Sequence, residues 1–169
     1  LFISGLNNIH WDNKKVKWND YMHDMVLHGL RSVYGDSLID YPGTWYMYKD
    51  EIERRNYDIT TFWGRGFTLY NLLSDYEQID RSDIARKIKK NYFDIIVFGS
   101  IRRSSKFFEE ATNSKSKIIF IDGEDNASIN EKIINKGIYF KRELTSKNFD
   151  NIQPLTLAIP KEKIVKKIN

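Results

Sequence analysis

Several short stretches place charged, hydroxyl and glycine residues directly after apolar runs, where side chains can meet a ligand. Ser100-Ile101-Arg102-Arg103-Ser104-Ser105 joins two guanidiniums to hydroxyls ahead of a predicted helix, a pattern suited to an anion. Asp122-Gly123-Glu124-Asp125-Asn126 is an acidic turn that can accept hydrogen bonds from sugar hydroxyls or hold a hard cation, although the spacing of a twelve-residue calcium loop is absent. Lys141-Arg142-Glu143 sets three charges at the tip of an apolar run. Gly64-Arg65-Gly66 brings backbone N–H groups within reach of a ligand, but it is neither a dinucleotide fingerprint nor a phosphate-binding P-loop. Gly5 opens a polar segment in which His10 is the histidine best placed for proton transfer. Asp24 and His28 are four apart and can face each other on a helix, whereas His23 and His28 sit about 140° apart around it and make poor joint metal ligands. The competing reading of each segment is plain: strands end in turns, and turns are polar.

These segments need a scaffold that brings them to one place. Leu1–Ser4, Ser37–Tyr41, Ile59–Trp63, Asp94–Gly99, Lys117–Ile121 and Gly137–Phe140 read as strands. IIVF and KIIFI are continuously apolar, as strands buried on both faces are. Met22, Met25, Val26, Gly29, Leu30 and Val33 form a helical stripe over about 20–34, capped by Asn19 or Asp20 and stopped by Gly35. Further helices are predicted over Phe67–Leu73, from Asp80 or Ser82 to Asn91, from Ser104 or Ser105 to Asn113, and over Ser128–Asn135, with a helical turn or two after Trp45. Strands alternating with helices predict an α/β three-layer sandwich with a mostly parallel sheet, Rossmann-like or flavodoxin-like. In such sheets ligands bind outside the carboxyl ends of the strands, where all five polar segments would lie. Residues 1–150 are expected to form this domain, with 151–169 an extended connector and basic tail.

The 169 residues include no cysteine, which excludes disulfide scaffolds, thiol nucleophiles and thiolate metal sites and fits a reducing compartment. No apolar run approaches the length of a membrane span, so a cytoplasmic protein is expected. The net charge is +4, and much of the excess is in Lys161, Lys163, Lys166 and Lys167. That tail is not a coherent basic stripe, so nucleic acid is disfavoured as a partner even with Trp11, Trp18, Trp45 and Trp63 available for stacking.

Taken together, YMHDMVLHGLRSVYG, DYP with WYMYKDE, DIIVFGS, KIIFIDGED, YFKREL and QPLTLAIP resemble the N-terminal domain of GT-B type glycosyltransferases, in the bacterial and phage group described as spore-coat-like or family-1-like. The resemblance implies two Rossmann-like domains facing a cleft, the first holding a sugar or glycan acceptor and the second a nucleotide-sugar donor; from the residue spacings, no cofactor or metal is expected. It also implies that the donor-side domain is missing from this sequence. Lys141, Arg142 and Glu143 would lie at the cleft edge with Gly5, Gly64, Arg65, Gly66, Arg102, Arg103 and Glu124, and Gln153–Pro160 would be the crossing connector or, with no partner domain, would cover the sheet. The acid–base candidates would be His10 and Asp122. The alternative is a non-catalytic flavodoxin-like ligand-binding or regulatory module.

Overall fold

A computed structural model describes residues 1–5, 20–62, 69–145 and 151–164. Six strands form one sheet: β1 Phe2–Ile3, β2 Asp40–Tyr41, β3 Ile95–Phe98, β4 Lys117–Asp122, β5 Ile138–Lys141 and β6 Ile152–Pro154. Every pairing is parallel, and the order is β2-β1-β3-β4-β5-β6. The first five follow the flavodoxin-like doubly wound order. From β1 the chain steps to β2 on one side and to β3 on the other, so the topological switch point lies between β1 and β3.

Alternation along the strands sorts apolar residues into two cores. Phe2, Val97 and Ile121 face one, with Met22 and Leu27 of α1 (Tyr21–Tyr34) and the aromatic segment Trp45–Tyr48. Ile3, Ile96, Phe98, Phe120 and Tyr139 face the other, with Ile84 and Ile88 of α3 (Ile84–Lys89) and Ala111 of α4 (Phe108–Thr112). Helices therefore cover both faces, as in an α/β sandwich. The short α2 (Glu51–Arg54) follows the aromatic segment. No helix among the described residues is long and apolar enough to cross a membrane.

The cap and stop of α1 follow the expected chemistry. Asp20 Oδ1 accepts from the His23 N–H at 3.2 Å, and Gly35, at φ 52°, returns its N–H to the Arg31 carbonyl. The buried face is rotated from the predicted stripe, however. Val33 is 75% exposed, whereas His23, Asp24, His28 and Arg31 are buried beside Met22 and Leu27.

Other expectations change with the structure. Residues 59–61 form a 3-10 turn, because Asp58 accepts from the Thr60 N–H and draws the β-branched residues into a local turn. Residues 69–73 are not helical, and Leu73 bridges Tyr48 instead. The helix predicted over Ser128–Asn135 is reduced to a 3-10 turn at Ile134–Lys136. The expected connector begins as a strand, since Ile152–Pro154 pairs with β5.

Close approach at the switch point depends on two glycines. A Cβ on Gly5 would lie 2.4 Å from the Ser100 Cβ, and one on Gly99 would lie 2.2 Å from the Phe2 ring and 2.8 Å from His23 Cδ2. Gly99→Ala must push rigid neighbours apart, so a loss of about 1–3 kcal/mol is expected in urea unfolding. An unchanged midpoint would mean that the β1–β3 contact is loose.

Candidate functional site

The carboxyl ends of β3, β4 and β5 are tied together by one buried carboxylate. Asp122 is the last residue of β4, and its register partner is Lys141, the last residue of β5. Parallel register puts both side chains on the same face, and Tyr139, two residues before Lys141, shares it. Asp122 and Lys141 are fully buried. Asp122 Oδ1 accepts from Lys141 Nζ at 3.1 Å and from the Glu124 N–H at 3.2 Å. Asp122 Oδ2 accepts from Arg102 Nε at 2.9 Å and from the Tyr139 hydroxyl. Lys141 Nζ also donates to the Glu124 carbonyl at 3.1 Å, and Arg102 Nη2 to the Ser128 carbonyl at 2.6 Å. Both Asp122 oxygens are thus occupied, and the carboxylate works as an anchor for two cations and a turn.

Burial would raise the Asp122 carboxyl, but hydrogen bonds from Tyr139, Arg102 and Lys141, with the charge of Lys141, outweigh it and bring it below the ordinary carboxylate range. A lowered folded value means that this stabilisation is fully present above the unfolded value of about 3.9 and is lost as pH falls through the lower folded value. Asp24 has the opposite sign. Burial raises its carboxyl against the opposing hydrogen bonds of His23 and Tyr46, so its contribution is fully present at low pH and fades as pH rises. Between about pH 5 and pH 3 the wild type is expected to lose urea stability more steeply than Asp122→Asn. Parallel curves would show that Asp122 does not govern the acid limb.

A second polar cluster lies on the opposite face, under the first turn of α1. Asp24 Oδ1 accepts from the Tyr46 hydroxyl at 2.7 Å and lies 3.0 Å from His23 Nδ1. The His23 ring packs on Phe2, with centroids 4.9 Å apart, and beside Gly99 at the end of β3. Among the described residues, His23 Nε2 and Asp24 Oδ2 are buried with no hydrogen-bond partner. His28, expected as a partner for Asp24, turns instead to Glu162 at 3.6 Å.

Arg103 joins the two faces across the edge, 3.1 Å from Asp20 at the start of α1 and 3.2 Å from Glu124. Arg142 pairs with Asp125 and, at 3.1 Å, with Glu143. Of the predicted site residues, Gly5, Arg102, Arg103, Asp122, Glu124, Lys141, Arg142 and Glu143 therefore stand along the carboxyl edge of one sheet. His10, Gly64, Arg65 and Gly66 lie outside the described residues. Sequence reading missed Tyr139, which its i, i+2 spacing from Lys141 signals, and His23, which the apolar stripe conceals. Among the described residues, no group of three or more His, Asp or Glu side chains is placed to hold a metal ion.

Compared with protein-family models, curated proteins and solved structures, the chain matches none. Its function must be read from the edge itself. At the opposite, amino edge a cavity of about 350 Å³ is lined by Leu30, Leu38, Phe93, Val97 and Ile119 together with Tyr34, Ser37, Tyr92 and Asp94.

Proposed function

We propose that this chain is the acceptor-side half of a two-domain glycosyltransferase, acting in the cytoplasm, which binds a sugar or glycan acceptor at the carboxyl edge of its sheet. The observation that carries the reading is the Asp122–Lys141 pair. Two motifs of the resemblance, KIIFIDGED and YFKREL, are joined through it into a single structure. That pairing gives the motif residues a shared task at the position where parallel sheets bind ligands.

In this reading the acceptor hydroxyl oxygen forms a bond to the anomeric carbon of a nucleotide sugar held by a second domain. The anomeric C–O bond to phosphate breaks, and the hydroxyl proton passes to a base. Asp122, with both oxygens engaged, positions Arg102, Lys141 and the Glu124 turn, while His10 of the first loop remains the proton acceptor proposed from the sequence. Arg103, Glu124 and Arg142 are the exposed or half-buried groups that would meet acceptor hydroxyls. The same engagement of Asp122 favours a second reading, a flavodoxin-like module that binds its ligand without catalysis.

Saturation-transfer NMR with mono- and disaccharides, nucleotide sugars and a short oligonucleotide tests the proposal. Saccharide signals are expected to saturate, and to fade with Arg103→Ala. Turnover of a nucleotide sugar once the donor-side domain is supplied separates the enzyme from the module. Oligonucleotide binding without saccharide binding would contradict both.

A further inference from the structure

We propose that the amino-edge cavity is a second ligand site, made for a small aromatic amine and independent of the saccharide reading of the carboxyl edge. Its volume of about 350 Å³ falls within the range of about 300–1,000 Å³ that small-molecule pockets span. The cavity opens because the sheet is covered unevenly. Helices α3 and α4 pack on the other face, and α1 ends at Tyr34, where Gly35 stops it. Ile95 of β3 and Ile119 of β4 are therefore only half-buried, although strands in the middle of a parallel sheet are ordinarily covered on both faces. Both line the cavity, and Leu30 of α1 and Leu38 supply further apolar wall. Tyr34 and Tyr92, 48% and 66% exposed, add ring faces and hydroxyls.

The charge at the cavity is the second observation. Of the described residues that line it, Asp94 alone has a charged side chain, and that side chain is exposed and forms no ion pair with a described residue. The Leu1 amine feels the Asp94 charge, but burial lowers that amine to about 5, and it donates to the Ile95 carbonyl at 2.8 Å. At neutral pH it therefore leaves the Asp94 carboxylate without a cation. Lys87, which sits over the Tyr92 ring, is already paired with Asp80, and Lys117, the register partner of Ile95, does not line the cavity. A ligand ammonium can take the place beside Asp94, with the tyrosine ring faces adding to its attraction. The aromatic ring of the ligand then buries its surface between α1 and the sheet. An anionic ligand would meet like charge at Asp94, and a saccharide would leave its hydroxyls without partners against the apolar walls.

Titration of the whole 15N-labelled chain at neutral pH with phenethylamine and with 3-phenylpropionate, which share a ring and a two-carbon arm and differ in charge, tests this. The amine is expected to shift the amides of Leu30, Leu38, Phe93–Ile95 and Ile119, and to bind at least about fivefold more tightly than the acid. Asp94→Asn is expected to weaken the amine about two- to fivefold and to leave the acid no weaker. Equal binding of the two probes by the wild type would overturn the proposal, and that comparison needs no variant. An unchanged amine affinity in Asp94→Asn, or amine shifts absent from the amino edge, would overturn it as well. None of these results touches the carboxyl-edge site, which methyl glucopyranoside reads separately in the same spectra.

Discussion

Lys141→Met is expected to destabilise the fold by about 3–5 kcal/mol, the usual cost of leaving a buried charge without its partner. Met keeps much of the volume and the apolar stem, so the loss reports the ammonium group. Without it, Asp122 Oδ1 retains only the Glu124 N–H, and the Glu124 carbonyl loses its donor. Arg102 still holds Oδ2, which places the loss at the lower end of the range. The pair is coupled, so the effects must not add. Asp122→Asn in the Lys141→Met background is expected to recover stability, because a neutral amide no longer needs the cation. Urea unfolding of the two single variants and the double variant measures this directly. A loss under about 1 kcal/mol in Lys141→Met, or strictly additive effects, would contradict the assignment of Asp122 as the anchor of the edge.

Phe120→Ala is expected to cost about 3–5 kcal/mol through the cavity it leaves. Phe120 lies in β4, fully buried, with ring centroids 5.4 Å from Phe98, 6.0 Å from Phe108 and 6.3 Å from Tyr139. It therefore joins two neighbouring strands to α4. Aromatic neighbours on several sides cannot collapse far into the void, which puts the loss toward the upper end. Tyr139 also loses a wall, so its hydroxyl hold on Asp122 loosens and saccharide affinity should fall with stability. Phe120→Leu keeps most of the buried surface and is expected to retain most of both. Equal losses in the two variants would show that ring packing is not what stabilises this face.

How far the sequence discloses this architecture depends on the length and burial of each element. β3 and β4 are continuous apolar runs, buried on both faces, and no helix pattern competes with them. β6 was hidden because Ile152-Gln153-Pro154 has neither the length nor the propensity of a strand; it forms by pairing with β5, with Leu155 donating to the Lys141 carbonyl at 2.9 Å. Ile59–Phe62 carries strand propensity, yet the Asp58 side chain captures the local backbone first. Both cases are tertiary or local contacts overriding propensity. The candidate site divides in the same way. Its loop residues were visible because parallel strands must deliver their ends to one edge. Their mutual neutralisation was not, because pairing across β3, β4 and β5 depends on register. The burial of His23 and Asp24 was concealed by their own polarity, since an apolar stripe predicts the wrong buried face for a helix that turns charged groups inward.

The most direct measurement is a map of backbone amide shifts across the 15N-labelled chain during titration with a neutral methyl glycoside. The account predicts that the shifts concentrate at Gly5, Gly99–Arg103, Asp122–Glu124 and Lys141–Glu143, in one band along the carboxyl edge. Shifts confined to Leu38, Phe93 and Ile119 around the amino-edge cavity, or no shifts at saturating glycoside, would contradict it.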